Sequence, residues 1–148
     1  MFRGSSFHTI DSKGRIVIPS RFRSVLQAGG GEAVVITRHF KCLYGYTLDA
    51  WKNVVDRILN AAEKNDTVIR FNRFFIGQSQ ECSLDKQSRV LVPPVLRQYA
   101  QLNKDIVLVG VLDHFEIWSR ENWDKESELM EMEMQKEEVR TQIAKLGI

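Results

Sequence analysis

The sequence predicts an α+β protein, mainly β with helices, in which one folding unit is used twice. Three observations carry this. The chain has 148 residues, enough for one ordinary domain or two small repeated ones. Hydrophobic residues at 43% and charged residues at 27% allow a packed core and argue against wholesale disorder. Third, the segment Ile10–Arg23 returns 74 residues later as Leu84–Arg97, with Asp11/Asp85, Arg15/Arg89, Pro19/Pro93 and Arg23/Arg97 identical and the apolar positions repeated in kind. Val34–Thr37 similarly answers Ile106–Val109, and Trp51 answers Trp123, both at offset 72.

Each unit reads as strand, turn, strand, short helix, strand pair, helix. In Asp11-Ser12-Lys13-Gly14, Asp opens a type I turn and Gly stands where the backbone wants positive φ. Ile16-Val17-Ile18 is a short β-branched strand. Pro19 ends it and starts a one-turn helix through Phe22, Val25 and Leu26. Gly29-Gly30-Gly31 makes a loop, and Val34 to Thr37 forms the next strand. Trp51, Val54, Val55, Ile58, Leu59 and Ala62 fall at helical spacing after Asp49, the expected N-cap. A bridging helix is expected from Asp66 to Ile76 with Gly77 as its stop. The second unit follows the same order. The expected division is a first unit at 1–74 with the bridging helix, a second at 75–125, and an acidic C-terminal helical tail at 126–148.

Several classes are disfavoured by composition. No apolar run approaches the ~18 residues of a membrane span, and Met1–Ser6 lacks a signal-peptide apolar core. Cys42 and Cys82 cannot build a disulfide framework, and neither lies in a CxxC motif, so a reducing cytoplasmic setting is expected. Charge is uneven. Residues 1–74 carry 12 Lys/Arg against 6 acids, whereas residues 75–148 carry 9 against 13. At the N-terminus, Arg3, Lys13, Arg15, Arg21 and Arg23 oppose only Asp11. This asymmetry points to a polyanionic partner for the first half. Residues 121–148 hold eight acids and four bases, with an irregular stripe of Leu129, Met130, Met134, Val139, Ile143 and Leu146. This reads as a solvated helix whose acidic face disfavours membrane binding.

The Asp-x-x-x-Arg element has a physical reading of its own. Asp11 and Arg15 flank a tight turn, so their side chains can pair and fix its shape while Lys13 projects from the tip. An exposed pair is worth only about 0–1 kcal/mol, so a purely structural salt bridge is the bland alternative. The clustering of Arg3, Lys13, Arg15, Arg21 and Arg23 around one turn favours a role in binding. Lys and Arg at that density suit phosphates, Arg can read guanine bidentately, and a two-stranded ribbon fits the major groove of DNA.

The opening Met1-Phe2-Arg3-Gly4, then Asp11-Ser12-Lys13-Gly14-Arg15 with Pro19 and Arg23, then Asp85 with Arg89-Val90-Leu91-Val92-Pro93, resembles the MraZ family over roughly residues 1–125. That resemblance implies two SpoVT-AbrB/MazE-like units in a swapped-hairpin, double-split β-barrel. It implies ring-shaped homo-oligomers that regulate transcription by binding short direct repeats in double-stranded DNA upstream of the division and cell-wall gene cluster, and hence association with the nucleoid. It also implies that Asp11 to Arg15 faces DNA, with Asp11 orienting Arg15. Ser88 departs from the family's usual glycine at the position matching Gly14, so the second turn is expected to have a different shape. Asp85, Lys86, Arg89 and Arg97 are accordingly read as secondary contacts or structural residues.

Other signals are weaker. His8 maps onto Cys82 and reads as a half-buried strand residue. Ser5, His8 and Asp11 supply triad residue types without a nucleophile elbow, so no enzyme is expected. His39 and Cys42 lack a second pair for a metal. Gly29–Gly31 lacks the Gly-Lys-Ser/Thr of a phosphate loop, and no cofactor is expected. Trp51 and Trp123 read as helix anchors; Phe71, Phe74 and Phe75 read as core or subunit interface. The alternative function is an antitoxin-like module whose acidic segment 121–148 wraps a basic protein.

Overall fold

Strand exchange between the two halves of the chain dominates the architecture. The computed structural model describes residues 1–148. The first half supplies β1 (Phe2–Thr9), β2 (Arg15–Val17), α1 (Ser20–Ala28), β3 (Ala33–His39), β4 (Cys42–Tyr46) and α2 (Leu48–Leu59), with α3 (Asp66–Phe75) as the bridge. The second supplies β5 (Gln80–Ser83), β6 (Arg89–Leu91), α4 (Pro94–Tyr99), β7 (Asp105–Leu112), β8 (His114–Ser119) and α5 (Arg120–Glu133), followed by α6 (Glu137–Ala144). The strands form an antiparallel six-stranded sheet, ordered β1-β7-β8-β4-β3-β5, and a two-stranded ribbon of β2 and β6. The first strand of each half pairs with the third strand of the other, and β4 pairs with β8 at the centre. Exchanging β1–β4 with β5–β8 reverses the sheet order and leaves it unchanged, which defines a pseudo-two-fold axis. The swapped mixed α+β arrangement is therefore present, with its strands split between two sheets.

The ribbon packs on one face of the large sheet, and the main core lies between them. Ile16, Ile18, Val90 and Val92 come from the ribbon and its flanks, Phe22, Leu26 and Leu96 from α1 and α4, and Val34, Ile36, Leu43, Ile106, Leu108, Phe115 and Ile117 from the sheet. Phe2, Phe22 and Phe115 meet with ring centroids 5.2–5.3 Å apart. Such aromatic pairs add about 0.5–1.5 kcal/mol beyond the area they bury, and this trio ties β1 and α1 to β8 of the other half. The opposite sheet face carries two smaller clusters. Tyr46, Val54 and Phe75 pack with Trp51, Phe71 and Phe74, and Trp118 meets Trp123 at 6.0 Å. Trp51 and Trp123 thus anchor α2 and α5, as expected.

Several boundaries differ from the sequence expectation. The helix after Pro19 runs nine residues rather than one turn, because burial of both Phe22 and Leu26 sustains it until Gly29. The N-cap of α2 is Thr47, whose Oγ accepts from the Ala50 N–H at 3.0 Å, while Asp49 sits inside the first turn. That helix ends at Leu59, before Ala62. Asn65 caps α3 through its side-chain oxygen, and the chain then continues as a 3-10 turn, Ile76–Gln78, through Gly77. Gly77 is therefore not the stop. The C-terminal helix begins at Arg120, and α5 and α6 bury no residue. No helix is long and apolar enough to cross a membrane.

Candidate nucleic-acid interface

The first turn is built around one carboxylate. Asp11 Oδ1 accepts from the backbone N–H groups of Lys13 at 3.0 Å and Arg15 at 2.9 Å, while Oδ2 takes Arg15 Nε at 2.6 Å. These contacts hold the Asp11 carboxyl down at about 2, chiefly through the Arg15 backbone N–H, against an opposing desolvation effect, with the Arg15 side chain adding to it. Gly14, at φ +90°, closes the turn by donating to the Asp11 carbonyl at 3.0 Å.

The second turn repeats this geometry and corrects the expectation of a different shape. Ser88 takes φ +61° and donates to the Asp85 carbonyl at 3.0 Å. Asp85 accepts from Gln87 N, Arg89 N and Arg89 Nε, each at 2.9 Å, and its carboxyl is lowered by the same backbone contact. Three bonds to one carboxylate impose the left-handed conformation on serine, at a cost on the order of 1–2 kcal/mol.

The two turns are tied together. Ile18 N donates to the Ser88 carbonyl and Val92 N to the Gly14 carbonyl, both at 2.9 Å. Between them β2 and β6 pair with Arg15 opposite Leu91, Ile16 opposite Val90 and Val17 opposite Arg89. Ile16 and Val90 are fully buried. Alternation then puts Arg15, Val17, Arg89 and Leu91 on the outward face. Because each ion pair uses Nε, the two terminal nitrogens of Arg15 and of Arg89 have no partner within the chain. Lys13 and Lys86 are exposed at the two turn tips.

The remaining bases of the predicted cluster separate. Arg23 and Arg97 are half-buried, donating to the Ile18 and Val92 carbonyls at 2.8 and 2.9 Å, and so fasten α1 and α4 to the preceding strand ends. Arg21 is exposed in the first turn of α1 and reaches toward β1 at Gly4; with burial, which acts more strongly, it lowers the His8 pKa. Arg3 is exposed on β1, but alternation places it on the opposite face from buried Phe2, away from the ribbon. His8 is half-buried, with Nε2 2.7 Å from Ser6 Oγ. Cys42 and Cys82 are buried free thiols, and burial raises both, Cys82 to about 11. The sequence reading missed Val17 and Leu91. The alternation Ile16-Val17-Ile18 was the available signal, but a three-residue strand does not say which face is covered.

Together, the strand exchange and the paired Asp-x-x-x-Arg turns define an internally duplicated, intertwined protein that presents a basic two-stranded ribbon. The family model for the MraZ protein matches residues 1–73 and again 75–144. The chain is 55% identical over its full length to all of a protein from Desulforapulum autotrophicum named transcriptional regulator MraZ, and 49% identical to all of one of the same name from Desulfosudis oleivorans. A third so named, from Syntrophobacter fumaroxidans, is 42% identical over 83% of this chain and 82% of its own. The chain belongs to the MraZ family.

Proposed function

We propose that this protein is a sequence-specific, DNA-binding transcriptional regulator and not an enzyme, working in the cytoplasm at the nucleoid. In this reading it recognises short direct repeats in double-stranded DNA upstream of the division and cell-wall gene cluster. The observation that supports it best is the ribbon's outward face. Arg15 and Arg89 are each oriented through Nε by an aspartate, which leaves both terminal NH2 groups free for the O6 and N7 acceptors of guanine. Two strands about 4.8 Å apart enter a groove about 12 Å wide. Lys13, Lys86 and Arg21 contact flanking phosphates, and Asp11 and Asp85 hold the arginine geometry. Arg23 and Arg97 support the helices from beneath, and Arg3 meets DNA only if the duplex passes the sheet edge.

One ribbon makes few contacts. A closed homo-oligomeric ring would present many, and direct repeats let several dock at once, which raises affinity through effective concentration. The test is fluorescence anisotropy with the native upstream fragment and a scrambled control across several salt concentrations. Tighter native binding with a steep negative salt slope is expected; equal weak binding to both would refute specific recognition. Arg15→Ala should abolish the preference for the native fragment while leaving the assembly intact. A second reading rests on α5, where Leu129, Met130 and Met132 are 49%, 49% and 68% exposed among acids. An antitoxin-like role for this segment requires a small basic protein to co-purify with the full chain and to be lost when those three residues are made polar.

A further inference from the structure

The ribbon's outward face holds two apolar side chains that the basic reading leaves unused. Val17 is 46% exposed and Leu91 55%, although Ile16 and Val90 beside them are fully buried. Each is the last residue of its strand, and the pairing is closed just beyond it, by Ile18 N donating to the Ser88 carbonyl and Val92 N to the Gly14 carbonyl. The register puts Val17 directly opposite Arg89 and Leu91 directly opposite Arg15, so each apolar residue is the cross-strand neighbour of an arginine already held by its aspartate. The pseudo-two-fold axis repeats the arrangement, so the face carries two Arg-plus-aliphatic pairs.

We infer that Val17 and Leu91 read thymine, by contact with its C5-methyl group, within two base steps of the guanines met by Arg15 and Arg89. The inference rests on the DNA-binding reading above and adds the base class that the apolar pair selects. In the major groove only thymine offers a methyl group, and an aliphatic side chain can discriminate there only by covering it. The spacing is compatible. Arg15 and Val17 are two residues apart on one strand, about 6.8 Å, close to two base steps at about 3.4 Å each. A recognition face with arginine and a branched aliphatic on each strand therefore reads guanine and thymine two base steps apart.

The experiment compares the native upstream fragment with the same fragment amplified from deoxyuridine-substituted primers with dUTP in place of dTTP, which removes every thymine methyl and keeps the base-pairing groups. Full-length wild type, Val17→Ala and Leu91→Ala are titrated against both, with a scrambled fragment alongside. Wild type should bind the thymine fragment more tightly by about fourfold for each methyl covered. Each alanine variant should reduce that ratio by about the same factor. Ile16 and Val90 keep the ribbon packed in both variants, and circular dichroism with size-exclusion chromatography checks this. Equal binding of thymine and uracil fragments by wild type would overturn the inference. So would a preference that persists unchanged in both variants, since that would come from the altered stiffness of uracil DNA. If wild type cannot distinguish native from scrambled DNA, the DNA reading itself fails.

Discussion

Replacing Gly14 with serine, the residue the second turn already uses, tests how tightly the two turns are bound to each other's helices. A Cβ at Gly14 would stand 2.4 Å from Arg97 Cζ and 2.6 Å from its Nε, so the guanidinium must move. That group is held on α4 by the Nε bond to the Val92 carbonyl at 2.9 Å. Losing a hydrogen bond to a charged group costs about 1.5–3 kcal/mol, and left-handed serine adds about 1–2 kcal/mol. Partial rotation of the arginine recovers some of this, so Gly14→Ser should destabilise by about 2–4 kcal/mol. Urea unfolding of full-length protein at one fixed protomer concentration measures it, since assembly would otherwise shift the midpoint. In Arg97→Ala the obstruction is gone, so the double variant should lose at least ~1 kcal/mol less than the two single losses together. The reverse change, Ser88→Gly, should lie between neutral and about 1 kcal/mol stabilising. A loss below ~1 kcal/mol for Gly14→Ser, or strict additivity with Arg97→Ala, would refute the reasoning.

Two further predictions concern the same scaffold. Phe22→Ala removes the α1 member of the Phe2–Phe22–Phe115 trio, from a side chain 1% exposed, and should cost about 3–5 kcal/mol in the same unfolding experiment. Asp11 gives a pH dependence. Its folded carboxyl is held at about 2, below the ordinary aspartate value, so its contribution to stability is complete above about pH 4 and lost as pH falls through 2. A carboxyl-carbon NMR titration should show that midpoint; a value near 3.9 would mean that Arg15 and the turn amides do not hold the carboxylate in solution.

The local sequence determined the duplicated turns, because their chemistry is short-range. An Asp four residues before an Arg, with a turn between, satisfies its own amides and orients its own guanidinium. Spacing and residue type are sufficient to recognise it. The Trp51 and Trp123 anchors were legible for a similar reason: a large aromatic in the first helical turn has little alternative to packing against the strand just left. Helix ends were less legible, because Thr47 and Asp49 are both competent caps and only the packed geometry selects between them.

Which basic residues share one surface, by contrast, depends on the three-dimensional fold. By sequence, Arg3, Arg21 and Arg23 cluster with Lys13 and Arg15. In the fold, strand alternation sends Arg3 to the other face of the sheet, and Arg23 turns inward to a carbonyl. Lys86 and Arg89, more than 70 residues away, instead join the first turn on one surface. The reason is the strand exchange: β2 finds its partner in β6 of the other half, and no local rule specifies a pairing across that separation. The same pairing buries Ile16 and Val90 and leaves Val17 and Leu91 outside. The sequence therefore determined which groups were present and how each turn holds its arginine. The tertiary structure decided which of them face outward together.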